Sequence, residues 1–137
     1  MKNYAKIAPG FWTGTTGKAI RDAGRDVQVV ALYLCTCPSS NWIGLYYLPL
    51  PTLCHEVGIK EKEAAAALRI LESLEFAYYD AANEIVWLPG GALHQMPGRS
   101  SPSSTYIAKI FARTRKVGIS HVSCSTASGK ARQSLRR

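Results

Sequence analysis

Between residues 50 and 88 the spacing of apolar positions changes twice, and each change marks an element. A short helix is predicted from Pro51, whose fixed φ suits a first helical position. It buries Leu53, Cys54 and Val57 and stops at Gly58. A second helix is predicted over residues 60–75, where Ala64, Ala67, Leu68, Leu71 and Leu74 recur at helical spacing and form a core-facing stripe. Its opposite face carries Lys62, Ala65, Ala66, Arg69 and Ser73, two cations with little side-chain bulk. Such a face can lie close against a groove or against another protein. After Phe76 the period drops to two: residues 77–80 and 84–88 alternate, are rich in Tyr, Ile, Val and Trp, and are separated by Ala81, Ala82 and Asn83. The pattern predicts a hairpin.

Upstream, residues 1–13 read as extended, with Phe11 and Trp12 as an aromatic anchor. A short helix is predicted over 16–23 and ended by Gly24. A further helix starts at Asp26, a candidate N-cap, and runs through Val27, Val30, Ala31 and Leu34. Val29, Leu32, Tyr33 and Cys35 make it apolar nearly all round, the signature of a central buried helix. Pro38, Ser39, Ser40 and Asn41 signal a turn, and residues 42–48 read as a strand that pairs with the hairpin as its third member.

Helix, glycine turn, second helix and hairpin, in that order, predict an α+β, mainly α chain: a winged helix-turn-helix with a small antiparallel β-sheet, over residues 4–96. In that arrangement the second helix enters the major groove, so Lys60, Lys62, Ala65, Ala66, Arg69 and Ser73 are the candidate DNA-binding residues. Two helix ends lack their usual residues. Lys60 stands where Ser, Thr or Asp would cap the second helix, and Glu75 stands where Gly would make a left-handed exit.

The segments FWTG at 11–14, DVQVVALYL at 26–34, IGLYYLPLPTLCHEVGI at 43–59 and ALRILESLEFAYYD at 67–80 resemble the N-terminal winged-helix domain of phage and prophage replication proteins, the replisome-organiser or initiator-like group. The resemblance implies a DNA-binding or replisome-assembly module of phage origin with no catalytic residues to carry over, and the N-terminus, with no apolar run before Pro9, adds the expectation of a cytoplasmic protein of the bacterial host cell. The partner expected is double-stranded DNA; the alternative reading, a module that docks proteins, expects a replicative helicase or loader or a second copy of the chain, with Tyr78, Tyr79 and Trp87 of the hairpin as a candidate dimer or partner surface.

Charge divides the chain in two. Residues 1–97 hold eight Lys and Arg against nine Asp and Glu, whereas residues 98–137 hold nine Lys and Arg and no acid. The basic character therefore belongs to a Ser-rich C-terminal extension over 97–137, in which residues 104–116 read as an amphipathic helix and the remainder as disordered. Ile107, Ile110, Phe111 and Thr114 form one side of that helix. Lys109, Arg113 and Lys116 lie on the other and, with Arg115, are candidate phosphate contacts.

Other chemistries fit poorly. No run approaches the length of a membrane span, and the apolar side of 104–116 is short for a helix lying on a membrane. Cys35, Cys37, Cys54 and Cys124 read as buried thiols, since a C-x-C followed much later by Cys54 and His55 is not a zinc spacing. GTTGKA at 14–19 has Trp12 where a phosphate-binding loop needs its first Gly, and Ala19 where magnesium needs Ser or Thr. No cofactor, metal site or catalytic set is expected. Two alternatives to a DNA reader in replication stay open: a winged-helix module that docks proteins while the tail supplies nucleic-acid affinity, and a small prophage transcription regulator.

Overall fold

The computed structural model describes residues 3–90. Five helices and three strands follow in the order α1 (Gly10–Thr13), α2 (Thr15–Ala23), α3 (Arg25–Thr36), β1 (Leu45–Tyr47), α4 (Leu50–Val57), α5 (Glu61–Ser73), β2 (Tyr78–Asp80) and β3 (Ile85–Trp87). The described residues are thus α+β and mainly helical, with one antiparallel sheet in the order β1-β3-β2. The expected basic extension, including Lys109, Arg113, Arg115 and Lys116 and the helix at 104–116, lies outside the described residues.

The core forms where α3 and α5 pack together, their buried stripes Val27, Val30, Ala31, Leu34 and Ala64, Ala67, Leu68, Leu71 closing on Leu53 of α4 and on Tyr46, Leu48 and Val86 of the sheet side. The α5 stripe is the one the helical spacing predicts, apart from Leu74, which is half-buried at the helix end. For α3 the expectation of burial all round fails: Val29 is 43% exposed. Among the described residues no element covers that side, so α3 packs as an amphipathic wall and not as a central rod.

Three boundaries move for local reasons. Residues 10–13 are a helical turn, not extended chain, and it carries Phe11 onto the core while Trp12 stays 46% exposed. Gly17 of α2 is buried against that turn, where a Cβ would come within 2.0 Å of the Phe11 carbonyl oxygen. The glycines that resemble a phosphate loop therefore serve close helix packing. Next, α3 begins at Arg25: Gly24 takes the N-cap position and its carbonyl accepts the Gln28 N–H at 3.1 Å, leaving Asp26 inside the first turn, where its charge suits the helix dipole. Finally, the strand predicted over 42–48 shrinks to 45–47. Asn41 folds the preceding residues into a bend, its Oδ1 accepting the N–H groups of Ile43, Gly44 and Leu45 and its Nδ2 donating to the Leu45 carbonyl.

Both unusual ends of α5 are solved without the expected residue. At the start, the Glu63 carboxylate accepts the Lys60 backbone N–H at 2.9 Å, the reciprocal half of a capping box, so an N-cap side-chain acceptor is dispensable. At the end, Glu75 itself takes the left-handed conformation at φ 56°. The Glu75 N–H bonds the Glu72 carbonyl at 2.9 Å and the Phe76 N–H bonds that of Leu71 at 3.0 Å, the paired bonds of a Schellman exit.

Candidate functional site

The α4–α5 unit is fixed by two tight connections. Gly58 adopts φ 76°, and both its N–H and that of Ile59 bond the Cys54 carbonyl, which ends α4 and turns the chain into α5. On the far side of α4, the Tyr33 phenol donates to Glu56 Oε2 at 2.5 Å and ties α4 to α3. Burial, followed by that hydrogen bond to a carboxylate, raises the Tyr33 pKa far above its ordinary value. The Gly58 turn thus fixes α5 to α4, and the Tyr33–Glu56 bond holds α4 to α3.

With the apolar stripe of α5 turned inward, Lys62, Ala66, Arg69 and Ser73 project outward and are all exposed. Lys62 and Arg69 are seven residues apart, about 10 Å along the axis. Among the described residues neither takes part in an ion pair. Arg69 Nε lies 3.4 Å from the Ala65 carbonyl and the Ser73 hydroxyl donates to the Ile70 carbonyl at 2.6 Å, so both side chains lie along their own helix without engaging another element. Lys60 is exposed at the N-cap, beside the strip.

Ala65 is placed differently from its predicted companions. It is half-buried, one turn beyond Glu61, whose charge reaches Cys54 of α4 and adds to burial in raising that thiol's pKa. Ala65 thus turns to the α4 side, and the outward strip is Lys62, Ala66, Arg69 and Ser73. On the other flank, Glu63, Ala66, Ala67 and Ile70 line a shallow groove of about 360 Å³ against residues 23–27 of the α2–α3 junction, which brings Arg25 and Asp26 near the strip. Glu61 and Glu72 on one side and Glu63 on the other bracket the two cations. The strip is a pair of local positive contacts, not a positive field.

The hairpin tip carries no cation, and Asp80 closes its turn. Asp80 Oδ1 accepts the N–H groups of Ala82 and Asn83, and its Oδ2 accepts from Asn83 Nδ2 at 2.8 Å. That side-chain bond, followed by the backbone bonds, lowers the Asp80 pKa. At the other end of the turn Glu84 adopts φ 54° and accepts the Tyr47 phenol at 2.7 Å. Sequence reasoning missed Asn41, Asp80 and Glu84 as organisers of the sheet; the Asp80 and Asn83 pair around two alanines was the readable signal, an Asx-type turn. Cys37 is buried, Cys35 and Cys54 are half-buried, and all three are free thiols. Among the described residues no cluster of His, Cys, Asp or Glu could hold a metal, and no helix is long and apolar enough to cross a membrane.

Comparison of the chain with protein-family models, with curated proteins and with solved structures gave no match.

Proposed function

We propose that residues 4–96 are a winged helix-turn-helix that binds duplex DNA through α5, with α4 and the Gly58 turn holding α5 in the major groove and the β2–β3 hairpin as the wing. The observation that carries this is the outward strip Lys62, Ala66, Arg69 and Ser73: two cations with no ion pair among the described residues, and two small residues, on the exposed side of the helix after the turn. Small residues let a helix approach base edges, Ala suits a thymine methyl, and Arg or Lys suits guanine or phosphate. The element order and the resemblance to phage replication proteins support a role in replication initiation or replisome organisation. A transcription regulator would use the same strip on a different site.

A second use is favoured by charge. The described residues hold seven Lys and Arg against nine Asp and Glu, and the hairpin tip has no cation. A body with that balance suits docking to a basic surface of a helicase, a loader or its own copy, while the cations of the extension hold nucleic acid.

Fluorescence anisotropy of duplex DNA with the full chain across a salt series separates the two. The α5 reading expects Arg69→Ala to weaken binding by about 1–3 kcal/mol and to relax sequence preference. Neutralising Lys109, Arg113, Arg115 and Lys116 should weaken all sequences alike and lower the salt slope by roughly 0.9 for each phosphate no longer neutralised. If Lys62→Ala and Arg69→Ala leave binding unchanged while the extension variant abolishes it, the docking reading replaces the DNA-reader reading.

A further inference from the structure

The start of α3 carries a cation where the helix dipole disfavours one. Arg25 is the first residue of α3 and is exposed. The partial positive charge at a helix start favours anions there and opposes cations. Asp26 follows it, but successive residues point about 100° apart around a helix and do not face each other. Among the described residues Arg25 takes part in no ion pair, whereas Arg21, near the end of α2, approaches Asp22 at 3.9 Å. A residue set against the local preference marks a position shaped by something other than helix stability.

The packing of α3 on α5 sets that cation beside the outward strip. Arg25 lines the groove there with Ala66 and Ile70 of α5, and Asp26 and Glu63 line it too. The Glu63 carboxylate is engaged at the start of its own helix, where it accepts the Lys60 N–H at 2.9 Å, and Asp26 lies where the α3 dipole favours a negative charge. Arg25 is thus the one cation among the residues lining this flank. The major groove of DNA is about 12 Å wide and a helix with its side chains about 10–12 Å across, so a helix lying in that groove has a phosphate strand along each flank. The wing supplies no cation for either strand: residues 77–88 hold Asp80 and Glu84 and no Lys or Arg.

We propose that Arg25 is a phosphate contact of the DNA-binding face: with α5 in the major groove, its guanidinium holds a backbone phosphate of the strand that runs along the α2–α3 flank. The inference rests on the α5 reading and adds to it a residue outside α5. Phosphate contacts fix the register and orientation of a protein on the duplex and carry no sequence information. Arg25 therefore sets where α5 lies, and the strip of α5 reads what lies beneath it.

The test is a salt series of fluorescence anisotropy with the full chain and two duplexes of equal length, one selected from a random pool and one scrambled. Arg25→Ala is expected to weaken both by the same factor and to lower the slope of log affinity against log salt by about 0.9, the value for one phosphate. Arg25→Lys should restore the slope, since a phosphate also accepts a point charge. The melting temperature of Arg25→Ala should not fall, which separates a lost contact from a lost fold. An unchanged slope, a loss confined to the selected duplex, a slope that Arg25→Lys does not restore, or a lowered melting temperature would each overturn the proposal. In any of these cases α5 stands as the reader if Arg69→Ala still relaxes sequence preference. If Arg69→Ala is silent as well, the α5 reading fails and takes this inference with it.

Discussion

Replacing Tyr46 by Phe tests how the core is closed over the end of α3. The Leu34 carbonyl lies in the last turn of that helix and lacks a partner there: the Cys37 N–H goes to Tyr33, and residue 38 is a proline without an N–H. The Tyr46 phenol, 5% exposed, donates to it at 2.5 Å from the neighbouring strand. Tyr46→Phe keeps the ring and its packing and removes one oxygen, leaving a buried acceptor unsatisfied, which costs about 1–3 kcal/mol. For a folded unit of this size each kcal/mol lowers Tm by about 4–8 °C. The control is Tyr79→Phe, whose phenol reaches the Leu48 carbonyl at a longer 3.2 Å from a half-buried position. Water can take over there, so the loss should stay under about 1 kcal/mol. Urea and thermal denaturation followed by circular dichroism measure both. Equal effects of the two variants, or no effect of Tyr46→Phe, would refute the claim that this bond satisfies an otherwise orphaned group.

Other expectations follow from single observations. Gly17→Ala should cost about 1–3 kcal/mol in denaturant unfolding, because α1 must shift to clear a Cβ placed 2.0 Å from the Phe11 carbonyl oxygen. Glu75→Gly should be more stable than Glu75→Ala by about 1 kcal/mol, since only the glycine enters φ 56° without strain; equal stabilities would place the strain elsewhere. Burial raises the pKa of Tyr33, of Tyr46 and, to about 12, of Tyr79. Each native phenol thus holds its proton more tightly than the unfolded one, and stability is full below about pH 10. It falls above that pH as the unfolded state ionises first, which a Tm series from pH 8 to 11.5 would detect as a plateau followed by a decline. Asp80 behaves oppositely: its lowered pKa gives the hairpin turn a stabilisation that is present above about pH 4 and lost as pH falls through the native pKa, visible as loss of amide protection at Ala82 and Asn83.

The elements legible in the sequence were those with a long or strict period. The α5 stripe, the Gly58 turn and the alternating hairpin arms appear in the structure with shifts of one or two residues, and the early strand does pair with the hairpin, through β3. What escaped was decided by contacts between segments distant in sequence or by one side chain acting on backbone. Nothing in FWTG announces a helical turn, which forms because Gly17 allows α1 to sit on α2. Nothing in WIGL announces a bend, which Asn41 imposes with three accepted hydrogen bonds. At the ends of α5 the rules located the right positions and expected the wrong residues: Glu63 does the work of a capping side chain, and Glu75 occupies a conformation usually left to Gly. For the candidate site, Lys62, Ala66, Arg69 and Ser73 were readable from helical phase alone. Ala65 was not, because its placement depends on where α4 packs.

The charge layout bears on how the proposed DNA reader would find its target. At physiological salt the screening length is about 8 Å, less than the separation of Lys62 and Arg69 along α5. The two cations therefore act as separate contacts, and Glu61, Glu63 and Glu72 beside them cancel their field at longer range. Such a face can discriminate sequences once in the groove and contributes little to encounter. Long-range attraction falls to the acid-free residues 98–137, with nine cations. Neutralising the extension should then slow association more than it speeds dissociation, whereas Arg69→Ala should do the reverse, and stopped-flow anisotropy at two salt concentrations reads both rates.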